Sequence, residues 1–250
     1  MVLKMQVLLQ KYRRAIRKTA NYFKKAGIRK AVFGLSAGLD STITALLLIE
    51  ALGKDNVFVL IMPSRHTKKQ DIKDAIEFCK KQGIAYKVCE IDKIVKEIEG
   101  FGLAKTRLAK ANIAARVRMI LLYCYANSNN ALVAGTGNKT ELMLGYFTKY
   151  GDGAADIFPI ASFYKTELFE LAKLLGVPEK IIRKRPSAGL WKGQYDEKEL
   201  GLSYREIDSV LKLIEEKVSE EEILKRFPKA KRVLELVEAN AHKRKQVIIS

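Results

Sequence analysis

Apolar residues follow two rhythms along this chain. Short β-rich runs at 31–35, 57–62, 85–91 and 131–134 predict strands, the first two apolar enough to be buried on both faces. Between them, spacings of three and four predict helices over 68–82 and 107–127. Met5, Leu9, Tyr12, Ile16, Thr19 and Phe23 repeat at the same spacing and mark one face of an amphipathic helix that opens the chain. Further on, the pattern predicts a short strand at 157–160 and helices over 164–175, 204–217 and 228–241. Strand and helix in alternation give an α/β fold: a doubly wound parallel sheet with helices on both faces and helices at the C-terminus, in a single domain over 1–250. Residues 184–201 hold the one tryptophan, Trp191, but no sustained periodicity, and read as a functional loop or lid. Ligands on such a sheet gather at the carboxyl ends of its strands.

At 250 residues with 48% hydrophobic content, the chain has material for one substantial core. No apolar run reaches the ~18 residues of a membrane span, and the opening residues are ordered wrongly for a secretory signal, so a cytoplasmic protein without membrane partners is expected. Cys79, Cys89 and Cys124 are scattered and have only His66 and His242 as imidazole company, which excludes zinc and iron–sulfur sites and leaves free thiols. The net charge of +18 favours polyanions, nucleotide or nucleic acid. Ten of the bases fall in residues 1–30 with no acid among them. Without aromatic residues interleaved on that basic face, a solvated helix is the better reading, and nucleic acid is disfavoured as a partner.

The first strand runs into Ser36, Ala37, Gly38, Leu39, Asp40, Ser41 and Thr42 and then a helix. Small residues let backbone N–H groups approach phosphate oxygens, the helix dipole points at them, and the hydroxyls of Ser36, Ser41 and Thr42 add donors. Asp40 repels phosphate unless a cation intervenes, which implies a magnesium–ATP complex. No lysine follows Gly38, so this is not the G-x-x-x-x-G-K-[ST] loop. It resembles the S-G-G-x-D-S loop of the N-type ATP pyrophosphatases, which cleave ATP between its α and β phosphates; the bland alternative is a capped strand-to-helix turn. Arg65, after the second strand, is a candidate to reach a phosphate or lie along a nucleotide ring, with a solvated loop arginine as the competing reading. Glu141, entering a helix after the fourth strand, brings a second carboxylate to the sheet edge that carries Asp40, and the pair makes a magnesium site; dipole compensation is the competing role for Glu141.

Residues 145–156 mix glycines, aromatics and opposite charges without periodicity. That block, the loops at 36–41 and 135–141, Lys165 after Phe163 and Tyr164, Pro186 to Trp191, Asp196 to Tyr204 and the His242, Lys243, Arg244 ending together resemble the ammonia-dependent NAD synthetases. The resemblance implies a ligase that adenylates the nicotinate carboxylate of deamido-NAD with ATP, releases pyrophosphate, and lets ammonia displace AMP. It implies that Gly34, Leu35, Ser36, Ala37, Gly38, Leu39, Asp40 and Ser41 form the ATP phosphate loop, with Thr136, Lys165 and Ser187 as further ATP contacts. Asp40 and Glu141 resemble the magnesium ligands, and Arg116, Lys149, Asp156, His242 and Lys243 the contacts to deamido-NAD. A homodimer with substrate near the subunit interface is expected by the same analogy. The glutamine-using relatives carry an extra amidase domain for which 250 residues leave no room, so free ammonia is the expected nitrogen donor.

Physical reasoning divides the work in the same way. Charge builds on phosphate as pyrophosphate departs, which suits Lys165 and magnesium, and a carboxylate near the acyl carbon would hold ammonium or take its proton. Asp152 is the candidate, with a turn-forming role between two glycines as its alternative. Ala37 stands where the family has glycine; its Cβ is expected to exclude the left-handed backbone and to disturb the cradle. The rival function is a tRNA-modifying ATP pyrophosphatase, prompted by the loop and the basic first helix.

Overall fold

In the computed structural model, which describes residues 2–187, 191 and 193–244, the apolar runs become four parallel strands. These are β1 (Lys30–Gly34), β2 (Val57–Ile61), β3 (Ala85–Val88) and β4 (Ala131–Val133), in spatial order β3-β2-β1-β4. Side chains alternate between the two faces, as the strand period requires. Ala31, Phe33, Val57, Val59 and Ile61 pack with Phe23, Ala45, Leu48 and Phe78 on one side. Val32 and Leu60 pack with Val95, Ile113 and Val117 on the other. The first layer is built from α1 (Val2–Ala26), α2 (Leu39–Leu52) and α3 (Lys69–Gln82), the second from α4 (Asp92–Gly100) and α5 (Arg107–Asn129).

After β4 the chain is helical: α6 (Lys139–Leu144), α7 (Lys165–Leu174), α8 (Glu179–Ile182), α9 (Asp196–Leu200), α10 (Tyr204–Glu215), α11 (Glu220–Arg226), α12 (Lys231–Ala239) and α13 (Ala241–Arg244). Leu144, Ile207, Val210, Leu211, Ile223 and Val233 give these helices a core of their own. The Ser203–Glu206 capping box starts α10, where both orphan N–H groups find side-chain acceptors.

The expected strand at 157–160 does not form. A single parallel bridge, Ala134 to Ile157, is all that pairs there, since Pro159 has no N–H to donate. The expected helix at 228–241 is divided into a 3₁₀ turn at Pro228–Ala230, α12 and α13. Helices α4, α8 and α11 were not expected, and α9 lies inside the stretch read as a loop, of which residues 188–190 and 192 lie outside the described residues. On α1 the buried stripe is Leu8, Tyr12, Ala15, Thr19 and Phe23, whereas Met5 is exposed. Two of its bases pair with α7, Lys4 with Glu170 at 2.8 Å and Lys11 with Glu167 at 2.6 Å. Among the described residues no helix is long and apolar enough to cross a membrane.

Candidate active site

The strand order reverses between β1 and β4, and a crevice opens where their following loops part. The loop after β1 is held by its own side chains. Thr42 Oγ1 donates to the Gly38 carbonyl at 2.8 Å, Ser41 Oγ donates to the same carbonyl at 3.2 Å, and the Gly38 N–H donates to Ser36 Oγ at 3.3 Å. The buried Thr42 hydroxyl therefore serves the loop backbone and not a ligand, contrary to expectation. Ala37 also corrects the sequence reading. Its φ is 56°, in the left-handed region that its Cβ was expected to exclude, and the residue is fully buried. That conformation costs a non-glycine residue about 1–2 kcal/mol and persists only where neighbours enforce it. Gly38, by contrast, has an ordinary φ of −84°.

The loop after β4 ends in Asn138, which caps α6. Asn138 Oδ1 accepts from the Glu141 N–H at 2.9 Å, and Glu141 Oε2 accepts from the Asn138 N–H at 3.3 Å. The other end of the same amide, Nδ2, donates to Asp40 Oδ1 at 3.2 Å. One residue thus fixes both carboxylates, Asp40 through its side-chain amide and Glu141 through its backbone N–H. Lys165, the first residue of α7, is 2% exposed; its ammonium hydrogen-bonds Asp40 and lies 3.6 Å from Glu141 Oε1. Its backbone N–H is anchored on Thr140, which in turn donates to Asp208. Burial would discharge this lysine, but Asp40 and Glu141 raise its pKa above the ordinary value. Burial and the Asp40 charge push Glu141 up to about 8 against the pull of Lys165.

The crowding of Asp40 against buried Glu141, which raises the Glu141 pKa, is what a bound cation would relieve, and all the donors are oxygens. That set fits magnesium, which is held by one or two carboxylates and completes its shell with phosphate oxygens and water. Among the described residues no group of three or more His, Cys, Asp or Glu is gathered as a metal site.

From this point a cavity of about 1370 Å³ extends to the C-terminal helix. Gly34, Leu35, Ser36, Gly38, Leu39, Asp40 and Ser41 line it, as do Arg65, Thr136, Glu141, Lys165 and Ser187; buried Ala37 does not. Arg65 leans onto Glu99 at 3.2 Å. Arg116, Lys149, His242 and Lys243 also reach the cavity. They are stitched together: Arg116 donates to the Lys149 carbonyl at 3.3 Å, Lys149 Nζ to the His242 carbonyl at 2.9 Å, and Lys243 Nζ to the Gly145 carbonyl at 2.8 Å. Asp152 lines the same space and accepts from the Thr148 N–H at 2.9 Å, so the turn role and the cavity role coexist. Burial raises its pKa, with Thr148 and Arg118 opposing.

Asp156 is not brought to this cavity. Its Oδ2 accepts from the Val133 N–H at 2.7 Å and its Oδ1 from the Tyr123 hydroxyl at 3.2 Å, beside a separate cavity of about 350 Å³.

Three cavity neighbours escaped the sequence reading. Asn138 lay within a quoted motif without a role, and Arg118, which donates to the Met62 carbonyl at 3.1 Å, carried no local signal. The third, Lys184, pairs with Asp71 at 2.9 Å and with Asp74 at 2.8 Å; the signal available was an acid, Asp74, among the inward positions of α3. Burial would raise Asp74, yet hydrogen bonds from Lys184, Gln70 and Lys180 bring it down to about 2. A depressed carboxylate stabilises the native state fully above its unfolded pKa and loses that contribution as pH falls through the folded value. Asp74→Asn is therefore expected to flatten the acid limb of stability between about pH 4 and pH 2, read as urea midpoints across that range. An unchanged acid limb would show that the pairs are not maintained in solution.

A family model described as NAD synthase matches residues 11–247. The NH(3)-dependent NAD(+) synthetase of Archaeoglobus fulgidus is 50% identical over 220 residues, spanning 88% of this chain and 87% of the relative. Among solved structures, the chain is similar to NMN synthetase from Francisella tularensis, with a TM-score of 0.85 and 34% identity over 97% of this chain and 98% of that one. It is also similar to the NH3-dependent NAD synthetase from Campylobacter jejuni, solved with the nitrate ion, with a TM-score of 0.82 and 34% identity over the same shares. With the family match running from α1 beyond the last described helix, the chain belongs to the NAD synthase family.

Proposed function

We propose that this cavity amidates the nicotinate carboxylate of deamido-NAD with ammonia, driven by cleavage of ATP to AMP and pyrophosphate. The observation that carries the reading is Lys165, held charged between Asp40 and Glu141 where the loops after β1 and β4 meet. The N–H groups at the start of α2 and the phosphate loop cradle the triphosphate. Lys165 meets the charge that develops on phosphate as pyrophosphate leaves, without reorganising, because Thr140 and the two acids already hold it. Asp40 and Glu141 would hold magnesium, which when bound neutralises phosphate charge. Arg116, Lys149, His242 and Lys243 bind deamido-NAD, whose phosphates suit their charge and whose bulk a cavity of about 1370 Å³ accommodates. Asp152, with its raised pKa, takes the proton that ammonium must lose before attacking the adenylate.

The proposal extends to a single catalytic domain and a homodimer. Asp156 sits off the main cavity of its own chain, and a substrate lodged between subunits is the arrangement in which it touches deamido-NAD. A tRNA-modifying pyrophosphatase is not favoured, since the family match covers the block at 145–156 and the C-terminal helices as well as the shared loop.

The test is incubation with deamido-NAD, ATP, magnesium and either ammonium or glutamine. NAD, AMP and pyrophosphate are expected in equal amounts with ammonium. ADP and phosphate, or ATP turnover that needs tRNA, would sink the reading. Nicotinate mononucleotide belongs in a parallel tube because the Francisella neighbour is named an NMN synthetase; faster amidation of it would move the acceptor from dinucleotide to mononucleotide.

A further inference from the structure

We propose that Lys184 is a positioning residue for ATP, which locks the phosphate loop by holding the Ala37 carbonyl. The inference rests on the reading of this cavity as the ATP site. Lys184 Nζ donates to the Ala37 carbonyl at 3.2 Å while gripped by Asp71 at 2.9 Å and Asp74 at 2.8 Å. The Asp74 side chain is 2% exposed, so if the lysine swings away a buried carboxylate loses one of its three donors and keeps only Gln70 and Lys180. The carbonyl it holds shares a peptide plane with the Gly38 N–H. Ala37 is strained at φ 56°, and relaxing to its preferred right-handed region would rotate that plane and break both of its holds, the carbonyl on Lys184 and the Gly38 N–H on Ser36. The Lys184 bond opposes that rotation. Lys184 also begins the stretch that carries Ser187 and Trp191 to the cavity, so the same contact ties the two walls together.

A glycine at position 37 takes the left-handed backbone without strain and should need the lock far less. The experiment compares wild type, Lys184→Met, Ala37→Gly and the double variant, measuring magnesium–ATP binding by equilibrium dialysis alongside kcat and both KM values. Lys184→Met is expected to weaken ATP about tenfold, equivalent to about 1.4 kcal/mol, while the KM for deamido-NAD stays within twofold. In the Ala37→Gly background the loss should shrink to threefold or less. A tenfold loss that persists with glycine would mean that Lys184 acts directly on phosphate, and unchanged ATP binding would make it a packing residue; either overturns the proposal. Should Lys184→Met fail to fold, Asp71→Asn loosens the grip from the surface, with a two- to threefold weakening expected when Ala37 is retained and none in the Ala37→Gly background. If wild type binds ATP yet forms no NAD, the functional reading fails while the coupling between positions 184 and 37 is still measured.

Discussion

Lys165→Ala is expected to lower the rate of NAD formation by roughly 10² or more, the range seen when a preorganised transition-state donor is removed. The size follows from placement. The ammonium is fully buried and already oriented by Asp40 and Glu141, so it costs nothing to recruit as the phosphate charge develops. Removing it also leaves two carboxylates crowded together, and breaking a buried pair typically costs about 3–5 kcal/mol of stability. Turnover and stability must therefore be read separately, with circular dichroism confirming the fold before kinetics. Magnesium supplies the discriminating measurement. With the competing ammonium gone, its affinity should hold or rise even as turnover collapses, whereas a parallel loss of magnesium binding would mean that Lys165 merely assembles the site.

Gly145→Ala should be the most damaging change outside the charged cluster. Gly145 ends α6 at φ 64°, and a Cβ there would lie 2.2 Å from the Asn240 Cβ. The left-handed backbone costs alanine about 1–2 kcal/mol, and overpacking adds about 1–3 kcal/mol. Asn240 cannot yield freely, because its amide donates to the Leu144 carbonyl at 3.0 Å and it leads directly into His242 and Lys243. The variant is expected to raise the KM for deamido-NAD more than that for ATP. Gly176→Ala is the control: its φ is 66° but nothing lies within 4 Å, so it should show strain alone and unaltered KM values. Equal effects of the two substitutions would remove the C-terminal helix from the substrate site.

The sheet was legible in the sequence because its central strands are apolar on both faces, and Val57, Val59, Leu60 and Ile61 are all buried as that pattern demands. Loops at the strand ends followed from the fold class, which is why Asp40, Glu141 and Lys165 converge as expected. What escaped depends on tertiary partners. The left-handed Ala37 is held by Lys184 from 147 residues away, and no local propensity encodes that. The false strand at 157–160 is apolar for another reason: Ile160 is buried against Phe163, Leu168 and Leu171 and not in the sheet. The α1 stripe holds at Tyr12, Thr19 and Phe23, with Leu9 and Ile16 packed beside the core, and fails only at its start, where Leu8 and not Met5 meets the core. Asp156 was assigned from its motif, and its hold on the Val133 backbone is invisible without coordinates.

The sheet order carries a consequence for how the protein is made. β1 leaves the ribosome before its partner across the crevice: that strand begins at Ala131, and the lysine that meets Asp40 is 125 residues downstream of Asp40. A nascent chain exposing only β1, α2 and β2 has a phosphate loop without its opposing wall, and contacts of such long separation form late and slowly. Nucleotide cannot then act as a folding template for the N-terminal half alone; its stabilisation arrives only once α7 has emerged.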